Sequence, residues 1–227
     1  MPKTKRASLA MRAYVSLLPT FSVPRIRRAY RDRPPGETVF YGASNFTFWK
    51  AMEQDLAPFV LQNHGFGGST DDLLRRCAPQ LLFPYRPSVA VFQTGSNDLA
   101  FGKTLDQVLA DKFSMFDEFH ATLPATQFVI MSGLPLPGRA KLWDQTKEIN
   151  TAIESYARER PFVSFANATD ALLDEEGGFR PELFRPDGIH LIAAGRAAWS
   201  TVIVPALNAA GAPVRGGSQG NASGLRE

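Results

Sequence analysis

Val89-Ala90-Val91-Phe92-Gln93-Thr94-Gly95-Ser96-Asn97-Asp98 decides the fold. Its first half is a short apolar run without clean alternation, as a strand buried on both faces requires. Its second half turns at once into a polar, glycine-containing loop, and a helical pattern begins at Thr104. Residues 38–41, 59–62, 127–131 and 162–165 repeat the strand pattern, and helices are expected at 45–57, 70–83, 104–123, 142–160 and 192–209. In the third of these, Leu105, Val108, Leu109, Phe113, Phe116 and Leu123 trace one apolar face. Strand–helix alternation means parallel strands joined by right-handed crossovers, hence a three-layer α/β/α sandwich around a five-stranded parallel sheet. Ligands of such sheets bind beyond the carboxyl ends of the strands, so the loops there are the place to look for chemistry.

The 227 residues suffice for one such domain, read as residues 36–210, with a basic extension at 1–35 and a disordered Gly- and Ser-containing tail at 211–227. The net charge of +3 is unevenly spread. Nine of the first 33 residues are Lys or Arg against the single acid Asp32, leaving a body of net charge −5. A basic head on an acidic body argues against nucleic-acid binding and fits weak contact of the head with an anionic membrane. The head is only loosely like a signal peptide. Lys3, Lys5 and Arg6 precede an apolar stretch at 13–23, but Pro19 interrupts it, Arg25, Arg27 and Arg28 follow, and no small-x-small cleavage site stands out. A cytoplasmic location is therefore expected, and no stretch approaches the ~20 apolar residues of a membrane span. Cys77 is the only cysteine, which excludes an internal disulfide.

Of the three histidines, His120 lies within a helix at the edge of its apolar face and reads as structural. His64 follows the second strand with no acid nearby in sequence. His190 ends Arg185-Pro186-Asp187-Gly188-Ile189-His190, where one tight turn could present Asp187 to the imidazole. The same spacing also fits a capping aspartate beside an incidental histidine. Ser44 follows Val39-Phe40-Tyr41-Gly42-Ala43 at a strand end, and reads either as an N-cap or as a nucleophile near the unpaired N–H groups of a helix start. Gly65-Phe66-Gly67-Gly68-Ser69-Thr70 and Gly95-Ser96-Asn97-Asp98 are turns after strands that could each supply an oxyanion donor. Cys77 sits in no motif, and Asp71, Asp72 and Asp98 read as solvated or capping residues in the absence of a His or Cys cluster. No phosphate loop ending in Gly-Lys-Ser or Gly-Lys-Thr is present.

These four segments, in this order, resemble the GDSL (SGNH) hydrolases, a family of esterases, lipases and related acyl hydrolases. The resemblance spans about residues 38–205 and rests most on Asn63-x-Gly65-x-x-Gly68 and on Pro186-Asp187-Gly188-Ile189-His190-Leu191 followed by Ala193-Ala194-Gly195. It implies a flavodoxin-like strand order 2-1-3-4-5 and a serine esterase with Ser44, Asp187 and His190 as triad. The oxyanion donors would be the Ser44 and Gly68 N–H groups and the Asn97 amide, with no cofactor or metal. The expected substrate is a short-to-medium acyl or lysophospholipid-like ester. An acyltransferase, a carbohydrate O-acetyl esterase or a non-catalytic binding protein would share the scaffold. Phe66, Phe101, Leu134 and Trp143 are expected to form an acyl pocket, although core packing would explain them equally. One departure is Ala43, where the family's Gly-Asp-Ser block carries Asp. The missing carboxylate supports the nucleophile loop and is not part of the triad, so altered loop packing or rate is expected.

Overall fold

The computed structural model describes the backbone of residues 9–216 and the side chains of residues 17–216. Strands β1 (Thr38–Gly42), β2 (Leu61–Asn63), β3 (Val89–Gln93), β4 (Gln127–Met131) and β5 (Val163–Ala166) form one parallel sheet in the order β2-β1-β3-β4-β5. The apolar runs are continuous because their residues serve two cores in turn. Tyr41, Phe92 and Ile130 enter one core with helices α1 (Leu9–Tyr30), α4 (Asp71–Leu81), α5 (Ser96–Ala100), α6 (Leu105–Thr122) and α7 (Trp143–Arg158). Phe40, Val91 and Val129 enter the other with α2 (Ser44–Thr47), α3 (Met52–Asp55) and α8 (Ala193–Ala209). Full burial of such side chains contributes about 1.5–3 kcal/mol each, so this double-sided sheet is what fixes the loops at its carboxyl edge.

Local signals set the helix starts. Thr70 caps α4 by accepting the Leu73 N–H, and Thr104 and Gln107 form a reciprocal capping box at α6. The expected helix at 45–57 is instead two short helices. The Asn63 side chain donates to the Phe46 and Trp49 carbonyls, which an unbroken helix would have used itself.

The basic head folds as α1, although it runs through Pro19 and Pro24. Val23 and Ile26 are buried in the first core, where α1 packs on α4. At its end the Tyr30 hydroxyl accepts the Asn63 N–H, and the Arg33 guanidinium donates to the Leu61 carbonyl. These contacts cap β2, an edge strand whose backbone groups would otherwise invite pairing with another chain. The start of the supposed tail is docked as well, since Val214 bridges to Phe59 and the Val60 N–H donates to the Pro213 carbonyl. Residues 1–8 and 217–227 lie outside the described residues. No described helix is long and apolar enough to cross a membrane.

Candidate active site

Ser44 opens α2 at the carboxyl end of β1, with Ala43 rather than Ser44 in the cap position. The Ser44 Oγ lies 2.8 Å from His190 Nε2, and His190 Nδ1 lies 2.7 Å from Asp187 Oδ2. The other Asp187 oxygen accepts the N–H groups of Ile189 and His190 at 2.8 and 3.0 Å, which closes the tight turn. Partial burial pushes the Asp187 carboxyl up. The hydrogen bonds from the His190 ring and from these two N–H groups outweigh that and hold it at about 2. An ionised carboxylate only accepts, so Nδ1 carries the imidazole proton and Nε2 is left to accept from the serine hydroxyl. Such a relay can deprotonate Ser44 as it attacks a carbonyl.

Asn45 ties the two halves of this arrangement together. Its Nδ2 donates to the Ile189 carbonyl at 3.2 Å and its Oδ1 accepts the Leu191 N–H at 3.0 Å, one contact on each side of His190. Behind it, Phe46 and Trp49 stack on Trp199 of α8 at ring distances of 5.4 and 5.9 Å.

Gly68 has φ of +71°, a left-handed conformation that suits glycine. Among the described residues, the N–H groups of Ser44 and Gly68 have no protein acceptor. Asn97 Nδ2 donates to the Ser69 carbonyl at 2.9 Å, and its Oδ1 accepts from Arg139 Nη2 at 3.0 Å. A carbonyl can only accept and a guanidinium can only donate, so the amide's orientation is fixed and one Nδ2 hydrogen remains unused. Below these loops, Lys112 is buried in an ion pair with Asp71 at 3.0 Å and bonded to the Thr94 hydroxyl. Asp98 pairs with Lys103 at 2.9 Å and accepts the Asp71 N–H. The buried Lys112, bonded to Asp71 and Thr94, and the Asp71 N–H on Asp98 tie the Gly68 loop to the Asn97 loop.

The family model of the GDSL-like lipase/acylhydrolase family matches residues 35–198. The chain belongs to that family. This GDSL-like protein also shares its fold with solved structures of low identity. A protein from Streptococcus pneumonia, assigned by inference as a platelet activating factor, has a TM-score of 0.76 at 19% identity, covering 87% of this chain and 96% of its own. A GDSL-like lipase from Bacteroides thetaiotaomicron has a TM-score of 0.67 at 20% identity, covering 83% and 98%. An acetyl-xylooligosaccharide esterase from Geobacillus stearmophilus, in mutant form, has a TM-score of 0.62 at 16% identity, covering 79% and 96%. No curated protein matches the sequence.

The expected acyl pocket is not formed by the residues assigned to it. Phe66 is fully buried beside Tyr41, and Leu134 is buried in the second core, so neither has surface to offer a ligand. Phe101 packs on the first core, and Trp143 meets Phe179 edge-on. The cleft beside Ser44 is lined instead by Ala43, Asn45, Asn97, Leu136, Arg139 and Ile189, among others. His64 is buried between Tyr30 and Tyr85, its ring nitrogens against the Leu81 carbonyl and Gln62. Asp71 and Asp98 are neither solvated nor simple caps but members of the buried ion pairs. At Ala43 the loop is held by its backbone, its N–H on the Gln93 carbonyl and its own carbonyl taking the Phe46 and Thr47 N–H groups. Sequence reasoning passed over Asn45 and Arg139. The signal for Asn45 was an amide directly after the serine, whereas its partners stand 144 and 146 residues away.

Proposed function

We propose that this GDSL-like protein is a serine-dependent hydrolase of carboxylic esters. The observation that carries the reading is the His190 ring, bonded at once to the Ser44 hydroxyl and to the Asp187 carboxylate. Ser44 Oγ attacks the ester carbonyl while His190 takes its proton, and Asp187 stabilises the imidazolium. The Ser44 and Gly68 N–H groups and the unused Asn97 Nδ2 hydrogen hold the oxyanion. Removing one such donor typically costs about 10²–10³ in turnover. The alcohol leaves with the proton from His190, and water then hydrolyses the acyl-enzyme by the same route. Ala43, Leu136 and Ile189 are the apolar side chains lining the cleft beside Ser44, and the acyl group would rest against them.

The test is hydrolysis of p-nitrophenyl acetate and butyrate by the wild type, Ser44→Ala and His190→Ala, with fluorophosphonate labelling alongside. Turnover of both esters, lost in both variants, with label on Ser44, is expected. Folded wild type that neither turns over nor labels would end the esterase reading.

We also propose a membrane partner for α1. Leu17, Phe21 and Arg28 project from the face opposite the buried Val23 and Ile26, with Leu17 and Phe21 exposed by 58% and 75%. Arg25 and Arg27 are exposed nearby, and this mix of apolar and cationic groups matches an anionic phospholipid surface. Cosedimentation with phosphatidylglycerol vesicles but not phosphatidylcholine vesicles is expected, and its loss in Phe21→Ser and Arg28→Glu. Equal behaviour toward both lipids would remove this partner.

A further inference from the structure

One arginine, Arg139, lines the cleft and a second, Arg185, stands near His190 through Phe48; neither forms an ion pair among the described residues. Arg139 is delivered by the segment after β4, which presses on the turn carrying the acid. The Gly138 N–H donates to the Gly188 carbonyl at 2.9 Å, and a Cβ at Gly138 would collide with the Asp187 carbonyl, so only glycine permits the approach. The guanidinium then donates to Ser96 Oγ at 2.6 Å and to Asn97 Oδ1 at 3.0 Å. Both partners are neutral, and three of its five N–H groups are left over. Burial disfavours its charge, with only the Asp187 carboxylate working the other way. That carboxylate is already taken up by the His190 ring and two backbone N–H groups. Arg185 reaches the neighbourhood of His190 through Phe48. Its guanidinium lies 4.5 Å from the centre of the Phe48 ring, whose face or edge in turn meets the His190 ring at 4.7 Å.

A half-buried guanidinium with neutral partners gains most from an incoming anion, because the low-dielectric surroundings strengthen the attraction and the planar fork matches carboxylate and phosphate oxygens. We infer that the natural ester carries an anionic group, a carboxylate or a phosphate, which Arg139 and Arg185 receive while the scissile carbonyl sits at Ser44. This substrate class rests on the ester-hydrolase reading above. It divides labour in the cleft, with the acyl group beside Ser44 and recognition of the remainder by charge.

Three acetate esters of similar shape test it: phenyl acetate, 4-acetoxybenzoate and 4-acetoxyphenyl phosphate. Wild type should show kcat/KM about tenfold or more higher for at least one anionic ester than for phenyl acetate, mainly through KM. Which anion gains more tells carboxylate from phosphate. The advantage should shrink with added salt, as expected for a partly exposed charge. Arg139→Gln and Arg185→Gln should each reduce it several-fold, and Arg139→Lys should keep part of it. Equal kcat/KM for neutral and anionic esters overturns the inference. So does an Arg139→Gln variant that slows all three esters by one factor, since Arg139 would then act only by orienting Asn97. If wild type turns over phenyl acetate without preferring anions, the inference alone fails. If no ester is turned over, the hydrolase reading fails first and the inference falls with it.

Discussion

Replacing Asn45 with alanine removes both hydrogen bonds that tie the nucleophile loop to the backbone around His190. The Leu191 N–H is buried, so losing its acceptor leaves an unsatisfied donor at a cost of about 1–3 kcal/mol. The Ile189 carbonyl is only partly buried and can recover water, so its loss adds less than the first. A total near 2–3 kcal/mol corresponds to a Tm drop of about 5–10 °C for a domain of this size. The effect on activity is separate. The turn at Asp187 survives in the variant, as does the Arg185 N–H bond to the His190 carbonyl at 2.7 Å. The imidazole therefore remains in place on average but is no longer referenced to Ser44, and a misplacement approaching 1 Å is worth about 10²-fold. We expect kcat on p-nitrophenyl acetate to fall about 10- to 100-fold with KM little changed, and the rate of fluorophosphonate labelling to fall in parallel. Thermal melts and steady-state kinetics on Asn45→Ala measure both. A lowered Tm with unchanged kcat would refute the reasoning, because the histidine loop would then be positioned by its own turn alone.

Three further outcomes are expected. Burial holds the His64 imidazole near 4, against a partial opposing effect of the Leu81 carbonyl, so between that value and the ordinary 6.5 the unfolded chain binds more protons than the folded one. Stability is therefore full above pH 6.5 and falls by about 3 kcal/mol as the pH drops toward 4; denaturant titrations across that range should show a flatter profile in His64→Gln. Lys112→Met strands the Asp71 carboxylate without its buried partner and should cost about 3–5 kcal/mol by urea denaturation, with Lys112→Met/Asp71→Leu recovering part of the loss. Tyr30→Phe removes the acceptor of the Asn63 N–H and should lower stability by about 1–2 kcal/mol in the same assay.

The strands were legible to within one or two residues because a sheet covered on both faces forces apolar runs such as Val89-Ala90-Val91-Phe92. Ser44, Gly68, Asn97 and His190 could be picked out because short blocks at strand ends carry local turn chemistry, and the resemblance joined the blocks. Contacts between distant segments were not legible. Arg139 reads as an ordinary surface cation until Gly138 is seen against Gly188. Phe66, in a glycine-rich loop, looked like a ligand-facing aromatic, yet the loop turns its ring under the sheet edge toward Tyr41. The head was obscured by Pro19, Pro24 and its arginines, which hide a helical face that only burial of Val23 and Ile26 against α4 makes worthwhile.

The capping of β2 has a consequence for how the chain is made. Tyr30 precedes its partner Asn63 by 33 residues, and Arg33 precedes Leu61 by 28. Synthesis runs from the N-terminus, so the cover leaves the ribosome before the strand that it shields. The guard is therefore already made when the edge appears, and it docks as soon as α4 follows, which shortens the time in which nascent chains crowded on one message could pair through it. A chain begun after residue 33 would lose that order of events and present β2 bare, with self-association as the foreseeable result.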